Sequence, residues 1–151
     1  MVHNPEQSLG RMIYVLNLLA GKYARRILGP HQISKEHLFY LGTLITQGDG
    51  ITQDELARRL YVDKSTTARM LVVLEKKGLI HRQPVLGNVR ANTVLVTPKA
   101  YELWDSALSK LWRWQEILLK GFSKREVEEL TSMLHRMVTN AAEAWERGFT
   151  S

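Results

Sequence analysis

The chain has 151 residues, 44% hydrophobic and 24% charged, which is enough for one domain with its own core and is the make-up of a soluble globular protein. It has no cysteine, which excludes disulfides, thiolate metal ligation and thiol redox chemistry and fits a reducing, cytoplasmic compartment. The formal net charge of +6 is concentrated between residues 51 and 100, where nine cations stand against four anions. This marks the middle third as either an anion-facing surface or simply a solvated face.

The opening MVHNPEQSLGRM lacks the basic-then-apolar layout of a signal peptide, and no apolar run approaches the ~20 residues of a membrane span. After Pro5, apolar residues at Leu9, Met12, Ile13, Leu16, Leu19, Ala20, Tyr23 and Ile27 recur by threes and fours, predicting an amphipathic helix over about 5–28 that Gly29 and Pro30 end. Ser34 is a natural N-cap for a second helix to about Gln47, closed by GDG. Thr52 with Glu55 reads as a capping box for a short third helix, QDELARRL, and Asp63 caps a fourth that ends at Gly78. The β-branched runs LIHRQ and NTVLVT, separated by PVLGNVRA, predict a hairpin with a long loop. Thr97 with Pro98 opens a fifth helix to about Lys120, and Ser123 with Glu126 a sixth to about Glu146.

Short helix, turn, helix and hairpin is the layout of a winged helix-turn-helix, here flanked by long helices, so the fold is mainly α with a small β-hairpin wing. On a wheel of about 100° per residue, Thr67, Met70, Leu71 and Leu74 share the core side of the fourth helix. Ser65, Arg69, Val72 and Lys76 lie opposite, with Lys64 and Ala68 at the flank. A small, hydroxyl-rich, cationic helix start suits a major groove: Arg69 has the fork for a guanine, Ser65 and Thr66 are donors for phosphates or base edges, Ala68 fits a thymine methyl and Lys64 a phosphate. The plainer alternative is that Ser65 and Thr66 only serve the helix start and Arg69 is solvated. Arg90 near the hairpin tip is a second cation placed for an adjacent minor groove, and Arg82 counts with the basic, DNA-facing set.

The segment ITQDELARRLYVDKSTTARMLVVLEKKGLIHRQ, followed by NVRANTVLVTPKAYEL, resembles the multiple-antibiotic-resistance regulator (MarR) family of dimeric winged-helix transcription factors, and the closing GFSKREVEELTSMLHRM is similar to that family's last helix. The resemblance implies a single domain over 1–151, with a winged core at about 33–97 and dimerisation helices at about 5–28 and 98–147. It places Lys64, Ser65, Thr66, Ala68 and Arg69 in the major groove and Gln53 near phosphates. The family's wing carries Asp, any residue, then Arg; here Asn88 replaces the Asp and Arg90 is kept. For the dimer it implies apolar faces that include Leu9 and Ile13 in the first helix and Leu130, Leu134, Met137 and Val138 in the sixth. Periodicity alone favours intrachain core for the latter stripe; the position of these long helices outside the compact winged unit favours a partner.

No nucleophile elbow, phosphate loop or catalytic grouping is present, so no enzyme and no cofactor is expected. The histidines His3, His31, His37, His81 and His135 lack ligand spacing, and no metal is expected. The resemblance implies a possible small aromatic effector near Tyr14, His37, Tyr40 and Trp104, residues that periodicity reads as core. The expected function is a homodimeric repressor on a palindromic duplex; the alternative is a winged-helix module making protein contacts in a larger assembly.

Overall fold

The computed structural model describes residues 8–149, and of Val89 and Arg90 only the backbone. Helix α1 spans Leu9–Leu28 and begins at Ser8, whose hydroxyl accepts the Arg11 N–H. The expected start at residue 5 lies outside the described residues. After a 3-10 turn at Gly29–His31, α2 runs Lys35–Gln47. Its Ser34 cap closes a box not foreseen: the Ser34 N–H donates to Nδ1 of His37 while the His37 N–H donates to the Ser34 hydroxyl. Helices α3, Gln53–Arg59, and α4, Lys64–Lys76, start from Thr52 and Asp63 as expected. The Glu55 carboxylate, however, takes Arg58 and Arg59 rather than completing a box with Thr52. Helix α5, Pro98–Leu118, is capped by Thr97, and α6, Lys124–Glu146, opens on the reciprocal Ser123–Glu126 box.

The wing is longer and tighter than expected. Strand β2, Ile80–Val85, and β3, Asn88–Val96, absorb most of the predicted loop and leave a turn of Leu86 and Gly87, the glycine taking a φ of +81°. Pro84 is tolerated because β2 is an edge strand that needs no N–H there, and the register slips between Pro84 and Val85. A two-residue strand, β1 at Ile51–Thr52, pairs on the other side of β3. It is too short to leave an alternating signal in the sequence.

Leu28, Leu41, Leu44, Leu56, Leu71, Leu74, Ile80 and Val94 are fully buried and define a core shared by α2, α3, α4 and the wing, closed by the end of α1 and the start of α5. Each fully removed side chain stabilises by about 1.5–3 kcal/mol. No residue of α6 is fully buried, and Met133, Leu134 and Val138 are 53%, 46% and 56% exposed. This removes the intrachain-core reading of its apolar stripe. Of the two tryptophans two apart on α5, Trp112 is exposed, while Trp114 stacks on Tyr23 with ring centroids 5.1 Å apart.

Candidate nucleic-acid interface

The first turn of α4 is fixed by one carboxylate. Asp63 Oδ1 accepts the Ser65 hydroxyl at 2.7 Å and the Thr66 N–H at 2.8 Å. The Ser65 bond, then those from Thr66, hold the Asp63 carboxyl far below the usual carboxylate range, so it stays charged at the helix start. Thr67, Leu71 and Leu74 are buried and Met70 is half-buried, which leaves Lys64, Ser65, Arg69 and Val72 outward. Thr66 and Ala68 are half-buried at the edges of that face. The helix wheel therefore reads its orientation correctly.

What the wheel does not reveal is how these groups are already engaged. Arg69 Nη2 donates to Thr66 Oγ1 at 2.9 Å, which lays the guanidinium along the outer face and uses one of its five N–H donors. The Ser65 hydroxyl is spent on Asp63, so its expected role as a donor requires exchange of that bond. Lys64 Nζ sits 2.5 Å from Asp54 Oδ2 of α3, with both side chains well exposed.

Arg82 departs most from expectation. Its Nε and Nη2 donate to Glu75 Oε2 at 3.0 and 2.5 Å, its backbone N–H to Glu75 Oε1 at 3.0 Å, and its Nη1 to Gln53 Oε1 at 3.2 Å. The side chain is 23% exposed. The hydrogen bond from Arg82 holds the Glu75 carboxyl below its ordinary value. Rather than an outward cation, Arg82 is a brace that ties β2, α4 and α3 together, because a guanidinium committed to three intramolecular hydrogen bonds has lost most of its fork.

Gln53 and Asn88 come together: with Thr52, Asp54, Ala91 and Asn92 they line a cleft of about 340 Å³ between the start of α3 and the wing. The backbone of Arg90 lies in β3 between Asn88 and Ala91; its side chain is outside the described residues. Leu86, at the wing tip, is fully exposed.

The expected effector residues separate. A crevice of about 390 Å³ between α1, α2 and α5 is lined by Ala24, Lys35, Leu38, Phe39, Gly42, Thr43, Thr46, Gln47, Trp104 and Leu111. Of the four residues named for it, only Trp104 is present. Tyr40 is buried, with Oη 3.0 Å from Thr67 Oγ1, His37 caps α2, and Tyr14 is exposed on α1. Tyr40 and His37 each meet a polar partner inside the fold, Thr67 and Ser34. The other nine lining residues were missed; two of them, Lys35 and Phe39, sit on α2 one position from a cap and from a core residue, and no sequence period marks them.

Among the described residues, no helix is long and apolar enough to cross a membrane, and no group of three or more His, Asp or Glu is placed to hold a metal.

Residues 33–91, from the start of α2 to the middle of the wing, match the MarR family. The chain is 30% identical over 102 residues to the uncharacterized HTH-type transcriptional regulator YybA of Bacillus subtilis (strain 168), covering 68% of each. It is also similar to the crystal structure of a MarR transcriptional regulator from Methanosarcina mazei Go1, at 30% identity and a TM-score of 0.83 over 89% of this chain and 96% of that one. A MarR family regulator from Listeria monocytogenes, solved as a complex with 26mer DNA, is 25% identical with a TM-score of 0.83, over 92% of each chain. The chain belongs to the MarR family, and is a transcriptional regulator rather than an enzyme.

Proposed function

We propose that this regulator binds a palindromic duplex as a homodimer, with α4 in the major groove and the wing at the adjacent minor groove, and that it acts as a ligand-released repressor. The observation that carries the reading is the first two turns of α4, which offer Lys64, Ser65 and Arg69 outward on a helix whose opposite side is buried. Such a face is narrow enough for a groove about 12 Å wide and carries the fork that reads guanine. The similarity to a family member solved with DNA supports it.

The dimer follows from apolar surface that one chain leaves uncovered. Leu9, Ile13 and Leu16 on α1, Ile117 and Leu118 on α5, and Leu134 and Val138 on α6 are all exposed, while Leu130 and Met137 are half-buried. Uncovered faces of this kind mark an interface. A two-fold pair sets two α4 helices about 34–36 Å apart, one turn of DNA. The α1–α2–α5 crevice is the effector site of this reading, with Trp104 as its aromatic wall and Lys35 its cation. A ligand that prefers the DNA-incompetent spacing lowers affinity by its differential binding and no more.

Selection of bound duplexes from a random pool, followed by anisotropy titrations across salt, tests the reading. A palindromic site is expected, with log K falling against log salt at a slope near −0.9 per phosphate neutralised. A flat salt response with no enriched sequence would instead assign the winged module to protein contacts.

A further inference from the structure

We propose that a second cavity, of about 470 Å³ at the far end of α4, binds a small dianion of the phosphate monoester class. It is formed where the last turn of α4 meets the first turns of α5. Lys76 and Lys77 come from the end of α4, Lys99 and Glu102 from α5, and the buried side chains of Leu79 and Leu103 add apolar surface. Three lysines and a single carboxylate-bearing residue thus line the cavity, together with His31. The excess of two positive charges matches a phosphate monoester in its dianionic form.

The placement of two of its ammonium groups separates this cavity from an ordinary solvated lysine patch. None of Lys76, Lys77, Lys99 or Glu102 forms a salt bridge among the described residues. Two of the ammonium groups are also held in place. Lys99 Nζ donates to the Lys77 carbonyl at 2.7 Å, and Lys77 Nζ to Gln32 Oε1 at 3.3 Å. Each keeps two further N–H donors for a ligand. The volume lies within the roughly 300–1,000 Å³ of small-molecule sites, and Leu79 and Leu103 offer apolar contact to the body of an ester.

The cavity is separate from the DNA-facing turns. Lys76 lies twelve residues beyond Lys64, about 18 Å along the helix axis and past the first two turns of α4. It is also distinct from the α1–α2–α5 crevice, with which it shares no lining residue. A ligand here touches both α4 and α5, so it is placed to bias the angle between them. That regulatory consequence rests on the reading of α4 as the DNA-reading helix; the binding itself does not.

Calorimetric titration of the full chain with phenyl phosphate, inorganic phosphate and phenol at constant ionic strength tests the proposal. Saturable binding of phenyl phosphate, one per chain, is expected, with weaker binding of inorganic phosphate and none of phenol. Lys76→Met and Lys99→Met should each weaken phenyl phosphate by about tenfold or more; the Lys76 side chain makes no hydrogen bond among the described residues, so Lys76→Met should leave the thermal midpoint unchanged. Lys35→Met, in the other crevice, should have no effect. The proposal is overturned by absence of saturable binding at millimolar probe, by equal binding of phenol, or by loss in Lys35→Met instead. It is equally overturned if the Lys76 and Lys99 variants keep phenyl phosphate and lose DNA.

Discussion

Trp104 of α5 lies so close to the backbone of α2 at Gly42 that a Cβ added there would stand 2.7 Å from its Cη2 and 2.8 Å from its Cζ3. The indole thus sits where α2 leaves room for it, and this contact joins the winged core to the helix that leads away from it. Gly42→Ala adds a methyl group where the ring already is. Alanine gains up to about 1 kcal/mol of helix propensity over glycine, but overpacking costs about 1–3 kcal/mol. A net loss of stability is expected, together with a changed tryptophan emission as the ring shifts; an unchanged or raised denaturation midpoint would show that Trp104 yields freely.

Arg69→Ala is expected to lower affinity for the selected site by about 1–3 kcal/mol and to flatten preference at one base pair. Binding to a panel of single-base variants of the site makes the distinction. An equal loss on every sequence would identify a phosphate contact instead.

Asp54 holds the Lys64 ammonium and puts a carboxylate beside the surface where phosphates are proposed to lie. An exposed pair of this kind is worth about 0.2–1 kcal/mol. Asp54→Asn should therefore tighten binding to any duplex by up to about fivefold. Lys64→Ala should shift the salt slope by about one unit towards zero. Anisotropy titrations at several salt concentrations read both, and a weakened Asp54→Asn variant would mean that the carboxylate positions Lys64 usefully.

The ring of His37 is half-buried, and burial lowers its pKa despite the adjacent Glu36. Nδ1 accepts the Ser34 N–H, which places the proton of the neutral ring on Nε2, a buried atom without a partner among the described residues. With the folded value depressed, the unfolded chain takes up its proton first as pH falls. Stability is present above the unfolded value of about 6.5 and is lost as pH drops from there towards the lowered folded value. His37→Gln keeps a residue suited to that capping position and removes the titration, so its urea midpoint should fall less between pH 7.5 and 5.5. A slope equal to that of the parent would place the titration elsewhere.

The helix starts were legible in the sequence because a cap acts locally: Ser34, Thr52, Asp63, Thr97 and Ser123 each bond to an N–H three residues ahead. The outward face of α4 was legible for the same reason, its period being intrinsic to the helix. The long-range commitments were not. Arg82 reads as a free cation until folding brings Glu75 and Gln53 to it, and Tyr40, core by periodicity and pocket wall by resemblance, meets its polar partner Thr67 only 27 residues later. The wing was misjudged because PVLGN carries turn residues, yet the edge strand accommodates Pro84 and only Leu86 and Gly87 form the turn.

The buried Tyr40–Thr67 hydrogen bond also has an angular meaning. Thr67 lies two residues before Arg69 on the same helix, so the bond that anchors one side of α4 indexes the azimuth of the other. A roll of ten degrees moves a group on the helix surface by about 1 Å, taking a radius near 6 Å. That displacement exceeds the tolerance of a good hydrogen bond, whose length varies over only about 0.5 Å. Thr67→Val removes the bond without altering any outward residue. Its signature would be a changed base preference in a protein whose DNA-facing side chains are all intact.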